Sequence, residues 1–154
     1  MNRALIFVVL AGLLIGLAWP TGKPAPALAD DGARHETVLE RKSNGHFYAH
    51  AKVNDSELIH FVVDTGATVV ALTVNDARRL GIPVNPGDFT VVGEGASGPV
   101  RGKDLMLKSV EVDGKRVENV RAVVLEGSNL SLLGQAYLSR MGEVEMSGDY
   151  MVLK

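Results

Sequence analysis

Three apolar residues, Phe61, Val62 and Val63, lead into Asp64, which is followed by Thr65, Gly66, Ala67 and Thr68. A carboxylate at the end of a buried strand is costly unless hydrogen-bond donors surround it. Gly66 permits a tight turn and leaves its backbone N–H able to reach that carboxylate. An Asp-Thr-Gly turn on the surface of a hairpin is common. Here apolar residues resume at once with Val69, Val70, Ala71 and Leu72, a pattern unlike a plain surface hairpin. An Asp placed at such cost is a candidate functional group. The chain has no cysteine, which excludes disulfides, thiolate nucleophiles and cysteine metal sites.

The elements that position Asp64 read mostly as strands. Phe47, Ala49, Ala51 and Val53 alternate with His46, Tyr48, His50 and Lys52, the period-2 signature of a half-buried strand. Asn54, Asp55 and Ser56 form a turn, and residues 58–63 form a second strand. Residues 69–72 are short and apolar. Residues 74–80 read as one or two helical turns, with Thr73 as N-cap and Gly81 as the stop. Residues 89–92 return to strand, and the glycine-rich residues 93–99 form a loop or hairpin tip. Asp113-Gly114 between residues 105–112 and 116–125 is a hairpin signal, and the apolar phase slips near Lys108 and Ser109, which suggests a bulge. A short helix over residues 135–141 follows Leu132, Leu133 and Gly134. A last hairpin turns at Ser147, Gly148 and Asp149.

With 154 residues the chain allows one compact domain. Its charge of −2 is unevenly placed: every acidic residue lies at or beyond Asp30, where 18 acidic face 14 basic residues. No dense basic run exists, so nucleic-acid binding is not expected. Residues 4–19 are uncharged and apolar or small, behind Arg3, and read as a signal anchor or a signal peptide. Sixteen residues are slightly short for a span, and Ala27-Leu28-Ala29 offers a cleavage site. Both readings export the rest. Residues 20–36, rich in Pro, Ala, Gly and Asp, read as a linker, and residues 37–154 as the folded domain. No internal repeat is visible, so any two-fold arrangement must come from two chains.

The run of apolar residues into Asp64-Thr65-Gly66-Ala67 resembles the active-site motif of aspartic proteases. Ala67 is similar to the retroviral, single-lobe type. Leu132-Leu133-Gly134 before a short helix fits a second family feature, and Gly93, Glu94, Gly95, Ala96, Ser97 and Gly98 fall where the family has its flap. The resemblance covers about residues 45–152 and points to bacterial exported, membrane-anchored members. It implies a mostly β, single-lobe acid-protease (retropepsin-like) β-barrel with one or two short helices, forming a two-fold homodimer. Asp64 of each chain would be catalytic, Thr65, Gly66 and Ala67 would support it, and Thr65 would hydrogen-bond across the dimer. Like charges a few Å apart do not both ionise readily, so one carboxylate serves as base on water and the other as acid on the scissile carbonyl. No metal or cofactor is needed. The implied partners are a second copy, a peptide or protein substrate and, through the N-terminal segment, a membrane. The implied location is the inner membrane with the domain in the periplasm or outside, or the periplasm after cleavage near Ala29. The flap lacks the tyrosine of two-lobed relatives.

Other readings compete less well. Gly93 to Gly98 matches G-x-G-x-x-G, but no helix follows, as a dinucleotide site requires. Ser97 lacks the following glycine of a nucleophile elbow. His46, His50 and His60 could be drawn as metal ligands, yet His46 and His50 fall on the exposed face of their strand. The rival function is a non-catalytic peptide-binding or dimerisation module on the same fold; a third is a structural exported β-domain. A hydroxyl at position 67 would donate to the carboxylate and favour its ionised form, which Ala67 cannot do. Ala67→Ser is therefore expected to shift the pH–rate profile toward acid; an unshifted profile in the two enzymes would refute this account.

Overall fold

A computed structural model describes residues 35–95 and 98–154. The apolar run of residues 4–19, the linker as far as residue 34, and Ala96 and Ser97 at the hairpin tip lie outside the described residues. Among the described residues no helix is long and apolar enough to cross a membrane.

β2 (Tyr48–Val53) buries Ala49, Ala51 and Val53 and turns His50 and Lys52 outward, as its alternation predicts. Asn54 and Asp55 both adopt positive φ, 52° and 58°. Two such residues make the tight hairpin turn whose twist matches antiparallel strands, and β3 (Leu58–Val63) returns from it. β4 (Val70–Thr73) is wholly buried. It runs into α1 (Val74–Arg79), where Thr73 Oγ1 accepts from the Asp76 N–H at 3.0 Å. Gly81, at φ 71°, follows the helix end in the left-handed region that glycine favours. A 3-10 turn at Pro86–Asp88 leads to β5 (Thr90–Gly95) and β6 (Gly98–Val112). Asp113 and Gly114 make a second positive-φ turn into β7 (Lys115–Leu125). β8 (Ser131–Leu133) and α2 (Gln135–Leu138) follow.

These strands form one sheet in the order β2-β3-β8-β4-β7-β6-β5. β2 also pairs with β6 through Lys52↔Glu111 and Val53↔Val110, which closes six strands into a barrel and leaves β5 outside the closure. Phe61, Ile59, Leu72, Leu107, Leu133 and Tyr137 fill its interior. A separate three-stranded antiparallel sheet joins β1 (Thr37–Glu40), β10 (Tyr150–Leu153) and β9 (Val144–Ser147) in that order.

Of the two expectations for the glycine-rich stretch, the hairpin holds, because β5 and β6 pair as far as Gly95↔Gly98. Two other local expectations are corrected. The bulge expected near Lys108 is not a register shift: β6 and β7 keep one register from Gly102↔Leu125 to Val112↔Lys115. Lys108 and Ser109 instead donate their N–H groups to Asn54 Oδ1, and Asn119 opposite takes φ 52°, so both strands change face together. The shift lies in the β5–β6 hairpin, between Val91 and Gly93. The C-terminal helix is also shorter than expected, since its end tightens into i→i+3 bonds from Arg140 to Tyr137 and from Met141 to Leu138.

Tyr137 is fully buried and donates its hydroxyl to the Lys115 carbonyl at 2.7 Å, fastening α2 to the start of β7. Burial pushes its phenol from 10.0 up to about 12. A group whose folded pKa is raised contributes fully below the unfolded value and loses that contribution as pH rises through the folded one. Tyr137→Phe is therefore expected to lower stability by about 1 kcal/mol at neutral pH. In chemical denaturation it should also lack part of the stability loss that the wild type shows from about pH 10 upward.

Candidate active site

Asp64 stands just beyond β3 and continues its ladder, with its N–H on the Leu133 carbonyl at 3.1 Å. It is partly exposed, and Thr65, Gly66 and Thr68 beside it are exposed. One carboxylate oxygen, Oδ1, accepts the Gly66 N–H at 2.9 Å. The Ala67 N–H closes the turn on the Asp64 carbonyl at 3.3 Å. Gly66 leaves room for this geometry, since a Cβ there would stand 3.3 Å from Oδ1. The carboxylate thus has one fixed backbone donor and an open side.

The loop is held from beneath by the second motif. β8 lies between β3, with which it runs parallel (Val62↔Leu132, Val63↔Leu133), and β4, which it meets antiparallel at Ala71↔Leu132. Beyond it, the Gln135 N–H donates to the Ala67 carbonyl at 2.8 Å and the Ala136 N–H to the Thr68 carbonyl at 3.0 Å. The first N–H groups of α2, which have no partner inside the helix, therefore fix the active-site loop. The Gln135 side chain adds a bond from Nε2 to the Thr65 carbonyl at 2.9 Å. Gly134 lies where the two segments touch. A Cβ on it would fall 2.3 Å from the Val69 carbonyl oxygen and 2.6 Å from that of Ala67, both backbone atoms that cannot swing aside.

The structure therefore joins Asp64, Thr65, Gly66 and Ala67 to Leu132, Leu133 and Gly134. Gly93, Glu94, Gly95 and Gly98 lie on the β5–β6 hairpin, and no hydrogen bond among the described residues ties them to the Asp64 loop. Ala96 and Ser97 lie outside the described residues. The hairpin is fixed at its base instead. Arg101 donates to the Phe89 carbonyl at 2.9 Å and pairs with Glu126 at 2.7 Å. Lys103 Nζ donates to the Pro83 carbonyl and to Asp88, holding the Asp88 carboxyl below the usual carboxylate range.

Two supporting contacts go beyond the sequence reading. Gln135 closes the Leu132-Leu133-Gly134-Gln135 motif, but nothing local signals the bond of its amide to the Thr65 carbonyl. The other is a polar cluster behind β8. Ser131 Oγ accepts the Thr73 N–H at 3.0 Å and donates to Asp76 Oδ2 at 2.6 Å, while Thr73 Oγ1 donates to the same oxygen at 3.0 Å. The Thr-x-x-Asp spacing of a helix start signals half of it; Ser131 has no local signal. His46, His50 and His60 are exposed on the β2–β3 ribbon, and no metal-binding cluster of three ligating side chains occurs among the described residues.

An aspartyl protease family matches residues 49–137, a span that includes both motifs and the β5–β6 hairpin. The chain belongs to that family. A crystal structure of a retropepsin-like aspartic protease from Rickettsia conorii superposes with a TM-score of 0.64 at 32% identity, covering 77% of this chain and 90% of that one. The fold is retropepsin-like. An uncharacterised protein of Rickettsia prowazekii is 35% identical over 119 residues, and one from a Sinorhizobium species 32% identical over 148. They cover 77% and 95% of this chain, which spans only 51% and 60% of their own lengths.

Gly134→Ala is expected to displace the Asp64 loop, lowering stability by about 1–3 kcal/mol in chemical denaturation. Gly87→Ala, where an added Cβ meets nothing within 4 Å, serves as the neutral control. Equal stability of the two variants would show that the contact at Gly134 is not limiting.

Proposed function

We propose that the chain is an aspartic endopeptidase that hydrolyses peptide bonds with a water activated by Asp64, one carboxylate coming from each subunit of a homodimer. The observation that carries this reading is the open side of Asp64: its loop is fixed from below by Gly134 and α2, yet the carboxylate stays partly exposed beside the exposed Thr65, Gly66 and Thr68. Residues 37–154 hold one Asp-Thr-Gly, and a second copy of the chain related by a two-fold axis would bring the second carboxylate. Two such groups share a proton, and the ionised one takes a proton from water as the other donates to the scissile carbonyl. Thr65, exposed beside Asp64, hydrogen-bonds its mate across the dimer in this reading. The β5–β6 hairpin covers the substrate, and its glycines leave it free to move over a base held by Arg101 and Lys103. Residues 4–19 export the domain, as an anchor or a cleaved signal, to the periplasmic or outer side of the inner membrane.

The test is cleavage of an unfolded protein by the purified full chain and by Asp64→Asn, from acid to neutral pH. Removal of the acid–base group is expected to cut turnover by at least about 100-fold. Equal cutting by the two would reject Asp64 as the catalytic group. No cutting by either, with both folded and dimeric, would favour a module that binds peptides without cleaving them.

A further inference from the structure

The sheet face that carries Asp64 continues away from it as a row of rings. In a strand, residues two apart share a face, so Val62 lies on the same side as Asp64, while Phe61 and Val63 point into the barrel. Val62 is flanked by Leu132 on β8 and, beyond it, by Ala71 on β4. Val62 and Ala71 are buried and Leu132 partly so, yet all three lie outside the barrel core. They make an apolar floor beside the carboxylate. On its other side Val62 pairs with Tyr48.

Tyr48 is held unusually well for a partly exposed ring. Asn44 Nδ2 donates to its hydroxyl at 2.7 Å, and Asn44 Oδ1 accepts the His46 N–H at 3.2 Å. The ring of His60 stacks on it with centroids 4.8 Å apart and planes 16° apart. His50, the cross-strand partner of His60, stacks next at 4.7 Å and 25°. The His46 ring meets the Tyr48 ring edge-on at 6.5 Å. Tyr48 stands about 7 Å along the strand from the level of Asp64 and one strand spacing of about 4.8 Å across. An extended peptide rises about 3.3 Å per residue, so this separation corresponds to two or three residues.

We propose that Tyr48, backed by His60 and His50, forms an outer subsite of the peptide-binding cleft that takes an aromatic side chain of the substrate, two or three residues from the scissile bond. The occupant is the substrate itself, because the ring row is continuous with the floor beside Asp64 through the Tyr48–Val62 pair. A fixed ring costs little ordering on binding, and aromatic pairs gain beyond the area they bury. The inference rests on the proteolytic reading above.

The test uses peptides of one parent sequence with Phe or Ala at a single position, from four residues before the scissile bond to four after it. In the wild-type full chain the kcat/KM ratio of Phe to Ala peptides is expected to reach about tenfold at one of these positions. Tyr48→Ala should bring that ratio to about one, Tyr48→Phe should keep most of it, and Tyr48→Leu, which preserves apolar bulk, should lose it. A ratio that survives in Tyr48→Ala or Tyr48→Leu, or a wild type without ring preference, would overturn the subsite. Binding is read separately from the His50 and His60 ring-proton resonances of the Asp64→Asn chain. The Phe peptide should shift them and the Ala peptide should not. Shifts without any wild-type cleavage would keep the subsite and reject the protease; cleavage without ring preference or shifts would do the reverse.

Discussion

The contact between Gly134 and the carbonyls of Ala67 and Val69 is the constraint on which the site depends. It is a backbone-to-backbone approach that no side chain could share, since an added Cβ would fall 2.3 Å from one oxygen. Because the segments come this close, the first N–H groups of α2 can reach the Ala67 and Thr68 carbonyls. That exchange solves two problems together. The helix start gains partners for donors it cannot satisfy internally, and a loop with three exposed residues gains rigidity without being buried. The Asp64 carboxylate can then stay partly open to solvent on a backbone that is held fixed.

The barrel supplies the frame for this contact. β8 has only three residues, yet it is paired on both sides, with β3 in parallel and with β4 antiparallel. Its exposure to water is small because Leu133 goes into the core and Ser131 is consumed by Thr73 and Asp76. The Ser131–Asp76–Thr73 cluster ties the start of β8, the end of β4 and the first turn of α1 into one unit. Buried polar groups are tolerated when each has its partner, and here one carboxylate oxygen receives two hydroxyl donors. The β5–β6 hairpin is built on another plan: its strands are tied at the base by Arg101 and Lys103 and carry glycines toward the tip.

Much of this was legible in the sequence, because the relevant signals are local. Period-2 alternation located β2 and β3, Thr73 and Gly81 bracketed α1, and Asp113-Gly114 marked the longest hairpin. The two motifs around Asp64 and Gly134 were visible as residue types. Their mutual contact was not, since nothing local says that residues so far apart must touch. The same holds for Ser131, whose partners lie 55 and 58 positions away. The apparent bulge at Lys108 misled for a related reason. The phase slip is real, but the matching slip at Asn119 and the rescue by Asn54 lie on other strands. The glycines of residues 93–98 left loop and hairpin tip both open because glycine is a poor strand former, and the pairing with β6 decides for the hairpin.

The pairing of β3 with β8 also bears on when the molecule becomes able to act. Phe61 meets Ser131, 70 positions later, and the donors that fix the Asp64 loop come later still, at Gln135 and Ala136. Contacts of such long range form only after a large loop has closed, and they come late on a folding path. A chain emerging from the ribosome carries Asp64 long before it carries the segment that shapes the loop around it. The first half of the domain, with its Asp-Thr-Gly complete, is therefore still without the donors that hold the Asp64 loop. Long-range closure thus puts a delay between making the motif and giving it its shape.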